Sequence, residues 1–219
     1  MKHIYFFIIL LFLSKDTFSQ VYLFYSENQG KVIHHRILLD NNYLIETQYS
    51  QDPNLFILTR GGFYTSNDNN TFNVSFEFNS NFEKDKLKSK ILVKDKSWKN
   101  ISKPKKVLDG KWLMGGRVTE EGERRRDLSK PRKTMKFLLD GYFQWTAFNT
   151  ETFKFSGSGG GLYEIEDEDY IEKIVFFSRD NSKVGIKLKF NFVKKSDDWY
   201  HKGFSSKGDP MHEIWTKRK

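Results

Sequence analysis

Along residues 185–192 every second position is apolar and its neighbours are polar, which predicts a strand with one face buried and one in water. Residues 73–79 repeat the alternation, with Val74, Phe76 and Phe78 on the apolar side. Residues 135–139 and 142–148 flank Asp140-Gly141, a pair that favours the tight turn of a hairpin. Asp40-Asn41-Asn42 joins residues 32–39 to 43–49 in the same role. Two more polar turns, residues 67–70 and 166–169, predict two further hairpins, and no helical period of any length interrupts the strands between residues 112 and 217.

The pattern occurs twice. Leu38-Leu39-Asp40 returns as Leu138-Leu139-Asp140, and Gly61-Gly62-Phe63-Tyr64 as Gly160-Gly161-Leu162-Tyr163. Residues 71–78 return as 170–177, and Val93-Lys94 with Trp98 as Val193-Lys194 with Trp199. Four matches in one order at an offset of 99 to 101 read as the duplication of a small domain. The second copy contains strands at 112–118, 135–139, 142–149, 154–156 with 161–165, 170–178, 185–194, 199–205 and 211–217. Sequential antiparallel strands with one apolar face close as an up-and-down β-barrel, which removes exposed edges; a β-sandwich is the alternative. The first copy shows five strands and then falters, so it is expected as an incomplete barrel leaning on the second, or as part of one larger sheet system. The implied division is a leader at 1–19, a first repeat at 20–103 and a second at 104–219, joined through Lys103-Pro104-Lys105-Lys106.

The leader reading rests on Lys2 and His3, an apolar run at 4–13, and the small residues Thr17 and Ser19 around Phe18, which place signal-peptide cleavage before Gln20. Ten apolar residues span roughly 15 Å as a helix, half of a bilayer core, so export is favoured over a membrane anchor and the mature chain carries no transmembrane segment. The compartment is then periplasmic, cell-surface or extracellular. The chain has no cysteine, so stability must come from its core. Aromatics at 16%, including 21 Phe, favour strands. The formal net charge of +9 is densest over residues 117–136, with Arg124, Arg125, Arg126, Lys130, Arg132, Lys133 and Lys136. No nucleic-acid motif accompanies this charge, and Glu120, Glu121, Glu123 and Asp127 dilute it, so nucleic acid is not expected. A solvated loop, or contact with an anionic glycan or acidic protein, is.

Gly157-Ser158-Gly159-Gly160-Gly161 has the composition of a phosphate cradle, but no Lys-Ser/Thr follows and a strand continues from it. Bending or bulging of a strand is the expected role, shared with Gly61-Gly62. His34, His35, His201 and His212 lack the spacing of a metal set, and no cofactor is implied. There is no activated nucleophile, and the paired carboxylates Asp197-Asp198 and those of 166–169 lie in turns, so no catalytic residue is assigned and an enzyme is not expected.

Gly110-Lys111-Trp112 resembles the Gly-x-Trp of the first lipocalin strand, and Arg218 the basic residue that packs on that Trp at the closed base of such barrels. Lys133 to Leu138 (KTMKFL), Phe143-Gln144-Trp145, Gly159 to Tyr163 (GGGLY), Phe176 to Asn181 (FFSRDN), Gly208-Asp209-Pro210 and His212 to Trp215 (HEIW) are similar to lipocalin-like domains of uncharacterised function in secreted Bacteroidetes proteins. The resemblance implies a calycin-type barrel outside the cytoplasm, with no established activity. Phe143, Trp145, Tyr163, Phe177 and Phe190 are then candidates to line a cavity for a small apolar or amphipathic ligand, or to fill the barrel. If the repeat alignment sets the facing, Lys173 replaces an inward Val74; a bulge that shifts the face by one would turn it outward.

Overall fold

A computed structural model describes residues 19–68 and 70–218; the expected leader, residues 1–18, lies outside them. The chain is all-β, with two antiparallel sheets in sequence. The first sheet contains β1 (Gln20–Asn28), β2 (Lys31–Leu39), β3 (Tyr43–Gln51), β4 (Asn54–Thr65), β5 (Thr71–Asn79), β6 (Ser89–Val93) and the two-residue β7 (Lys99–Asn100). Its order is β6-β5-β4-β3-β2-β1-β7, a curled half-barrel in which, among the described residues, β6 pairs only with β5. A short helix α1 (Phe82–Asp85) precedes β6, an element the alternation did not announce.

The second sheet contains β8 (Gly110–Thr119), β9 (Gly122–Arg125), β10 (Arg132–Leu139), β11 (Tyr142–Asn149), β12 (Phe155–Glu166), β13 (Asp169–Phe177), β14 (Lys187–Lys195), β15 (Asp198–Phe204) and β16 (Pro210–Lys217). Strands β8 and β10 to β16 form a closed eight-stranded barrel, sealed by β16 on β8 and by β8 on β10. Strand β9 lies inside the stretch read as a basic loop and pairs with β8 as a hairpin. The two segments predicted before and after the glycine run are one continuous strand, β12.

Glycine sets the bend of both sheets at one equivalent place. The ladder slips between Gly61 and Gly62, and again between Gly160 and Gly161. A Cβ on Gly62 would sit 1.9 Å from the Ser75 carbonyl oxygen, and one on Gly161 1.9 Å from that of Lys173. Only a bare backbone fits beside such bulges. The slip also settles the facing of β13. Gly61 faces Phe78 and Gly160 faces Phe176, so the strand offset is 98, one less than the glycine offset of 99. Tyr170, Glu172 and Ile174 are buried and Lys173 is exposed. The leucine match shifts as well: Leu38 opposes Ile45 as Phe137 opposes Gln144, so Leu38 stands where Phe137 does.

The repeats pack with equivalent faces together. Phe78 meets Phe148 at 4.9 Å and Tyr49 meets Phe176 at 5.5 Å between ring centroids. Phe78 corresponds to Phe176 and Tyr49 to Phe148, so each contact is the other with the copies exchanged. Phe56 stacks on its own counterpart Phe155, 2° from parallel. This is the reciprocity of a two-fold interface, built within one chain. Its core joins Val21, Leu38, Tyr43 and Ile45 of the half-barrel to Leu113, Met135, Phe137 and Leu139 of the barrel. At its centre Gln144 accepts from Thr47 (2.8 Å) and Arg36 (3.1 Å), and donates to Thr59 (2.8 Å) and Ser158 (3.2 Å). Arg36 also donates to the carbonyls of Phe143 and Gly161, and its burial pulls the guanidinium down to about 10.

Candidate functional site

The closed barrel is filled by its own rings. Trp112, Tyr163, Tyr170 and Trp199 are at most 1% exposed, and Phe143, Phe190 and Trp215 at most 2%. Lys136 projects into their midst, because it shares its face of β10 with Leu138 while Met135 and Phe137 turn to the half-barrel. Its Nζ lies 5.0 Å from the Trp215 ring centre, 5.3 Å from Tyr170 and Trp199, and 6.0 Å from Phe190. The charge is met by Glu172 at 2.7 Å, and the Tyr170 hydroxyl donates to the same carboxylate oxygen at 2.7 Å. An aromatic cage of this composition suits an ammonium group. Here the chain supplies the ammonium itself.

His201 lies in the same interior, 1% exposed, with neither ring nitrogen hydrogen-bonded. Burial first, then the Lys136 charge, holds its pKa well below the usual imidazole value. Glu213 stands 3.7 Å from its Nδ1, and burial raises that carboxyl against the pull of Lys136, Arg117 and Arg126. Both groups are therefore pushed toward their neutral forms.

Of the residues predicted to line a cavity, Phe143, Tyr163 and Phe190 belong to this filling. Trp145 and Phe177 are half-buried and meet at 5.6 Å, with the Arg179 guanidinium 5.4 Å from the indole centre. Gly159 keeps the space between them, since a Cβ there would lie 2.7 Å from the indole nitrogen and 2.8 Å from the Phe177 ring. Lys173 is solvent-facing and is no part of the interior; the inward charges are Lys136 and Glu172. At the base, Gly110 opens β8 at φ 133° and the Trp112 indole donates to the Leu108 carbonyl at 2.7 Å. The cation over Trp112 is Lys217, at 4.6 Å, and not Arg218. Arg218 instead forms a two-pronged ion pair with Glu77 at 2.7 Å and covers Tyr43 and Phe63, tying the last residues to the first repeat. Adjacent residues leave a strand end in opposite directions, which explains the exchange.

The basic stretch divides in two. Arg124 pairs with Glu121, and Arg125 with Glu123 and Asp198. Lys133 donates to the Leu128 carbonyl. Arg117, Arg126 and Arg132 have no carboxylate within ion-pair distance among the described residues. Burial and the charges of Arg117 and Arg132 together lower the Arg126 pKa, while Glu213 opposes them. Arg126 and Arg132 line a small opening of about 20 Å³ together with Met114, Asp127, Lys133 and Thr134, while Arg117 stands on β8 opposite Arg124 of β9.

The half-barrel carries its own charged group. Glu46 binds Arg60 at 2.7 Å, with Lys90 at 3.7 Å and His35 at 3.8 Å. Burial alone would raise the carboxyl; His35, Arg60 and Lys90 outweigh it and bring it to about 2. Register places Glu46 where the second repeat has Trp145, and Arg60 where it has Gly159. Beyond this group an open groove of about 620 Å³ runs along β4, β5 and β6. No helix among the described residues is long and apolar enough to cross a membrane. No known family model and no curated protein matches the chain.

Proposed function

We propose that this is an exported, non-enzymatic contact protein of lipocalin-like build, in which the barrel is a scaffold and Arg117, Arg126 and Arg132 bind closely spaced anionic groups on a glycan or an acidic partner. The carrying observation is the division of the basic stretch: Arg124 and Arg125 are already neutralised, whereas Arg126 sits between the like charges of Arg117 and Arg132 with no carboxylate in ion-pair reach among the described residues. An incoming anion relieves that repulsion and draws on a net positive surface. The lipocalin-like part of the reading is supported by the eight-strand closure and by Trp112 under a terminal basic residue at the base. The filled interior favours surface contact over a small ligand held inside the barrel. The test compares binding to heparin and to polyglutamate at low and physiological ionic strength. Arg117→Ser, Arg126→Ser and Arg132→Ser combined should abolish binding, which in the parent weakens steeply with salt. The Arg124→Ser, Arg125→Ser double variant should retain it. Equal loss in both variants, or binding indifferent to salt, refutes the assignment.

A further inference from the structure

The half-barrel ends on an open strand whose counterpart in the second repeat is covered. Strand β6 occupies the place of β14, and β14 pairs onward with β15 over six residue pairs. Among the described residues nothing pairs with the far side of β6. Its inner hydrogen bonds identify which groups are left. Lys88 accepts from the Phe76 amide at 2.8 Å, and the Lys94 amide donates to Asn70 at 2.7 Å. Alternation then sends the amides and carbonyls of Ser89, Ile91 and Val93 to the open side.

The side chains at those positions point to solvent, and their chemistry differs from the covered copy. Register matches Ser89, Ile91 and Val93 to Lys187, Lys189 and Asn191. At these three positions the paired strand is polar, with Val193 the next outward residue at 45%, while the unpaired one exposes Ile91 at 62% and Val93 at 60%. Phe63, exposed at 40%, lies across the adjoining groove with Ile91 and Ser75 on its walls. Exposed edges in soluble proteins are usually blunted by charge, and two apolar residues here run against that rule. Lys88 and Lys96 flank the strand with no carboxylate within ion-pair distance among the described residues.

From this geometry we infer that β6 is a docking edge for an extended, acidic segment of a partner protein, which adds as an antiparallel strand. Its main chain bonds Ser89, Ile91 and Val93, its apolar side chains cover Ile91, Val93 and Phe63, and its carboxylates meet the flanking lysines. The site is separate from the arginine opening of the barrel.

The probe is a fluorescein-labelled heptapeptide of alternating valine and glutamate, titrated into the full mature chain by anisotropy. Saturable binding is expected, with slowed hydrogen exchange at the Ser89, Ile91 and Val93 amides. Ile91→Pro removes an open-side donor without touching the β5 ladder, and should weaken binding by about tenfold or more. Should that variant lose its fold, the Ile91→Lys, Val93→Asn double change, which installs the second repeat's residues, should produce the same loss. Unchanged affinity in the folded variants overturns the inference, as does equal binding of a valine–lysine heptapeptide. Dimerisation of the parent in sedimentation, abolished by the same changes, assigns the edge to a second copy and also overturns it.

Discussion

The second repeat continues through β15 and β16 and closes on β8, whereas the first stops after β6 and meets β1 only through the two-residue β7. Both use the same glycine bulge and the same interface face, so the difference in closure arises after the sixth shared strand, β6 in one copy and β14 in the other. Closure makes an interior sealed enough to hold Lys136 against Glu172 at side-chain exposures of 5% and 6%. The open copy buries its Glu46–Arg60 pair as deeply, at 3% and 7%, but adds a second cation, Lys90, that stays 37% exposed. Sealing the ring therefore does not decide whether an ion pair can be buried; it decides whether a further charge beside the pair reaches water.

The largest contrast is expected at the matched tryptophans. Trp199 is fully buried against Trp112 and Tyr170, so Trp199→Ala should cost roughly 3–5 kcal/mol. Trp98, matched to it by the sequence repeat although the register sets Val93 against Asn191 and not Val193, stacks on Phe24 at 5.1 Å but stays half-buried, and Trp98→Ala should cost roughly 1–2 kcal/mol. Urea unfolding of the two variants measures both, and equal losses would show that the half-barrel is packed like the closed one.

Acid separates the repeats next. Glu46 at about 2 lies below the free value of 4.5, so its stabilisation is complete above 4.5 and is lost as pH falls toward 2. Glu46→Gln should cost roughly 3 kcal/mol at neutral pH and progressively less through that window, read by denaturation at several pH values. His201 acts in a higher window. Its depressed folded pKa means that the unfolded chain takes up the proton first, so stability falls by up to about 1.4 kcal/mol per pH unit below 6.5. The raised pKa of Glu213 works in the opposite sense above 4.5. His201→Phe should flatten the His201 slope while leaving neutral-pH stability unchanged or higher, since it removes two unpartnered nitrogens. Persistence of the full slope in that variant would move the proton elsewhere. The smallest effect is expected at the open edge, where Ile91→Lys with Val93→Asn should alter stability by less than about 0.5 kcal/mol.

Strand alternation and turn chemistry carried the barrel, the duplication and the missing closing hairpin of the first copy. What they did not carry was facing at the bulges. A one-residue slip leaves the composition of β13 unchanged while it exchanges Lys173 for Glu172 inside the barrel. Lys136 was legible in principle, because it alternates with Leu138, but a lysine within a basic run reads as surface until its cage is seen. Strand β9 hid among charges for the same reason. Arg218 and Lys217 differ by one position at a strand end, which pattern alone does not orient.

The dependence of the open repeat on the closed one is tested most directly by expressing residues 20–103 and 104–219 separately and following thermal unfolding with sedimentation. The second fragment should melt cooperatively, and it should self-associate, because Phe137, Leu139, Phe148 and Phe176 lose their cover and their face is already self-complementary. The first should show no cooperative transition. A cooperative melt of the isolated 20–103 fragment would contradict the account, and would make the half-barrel a domain in its own right.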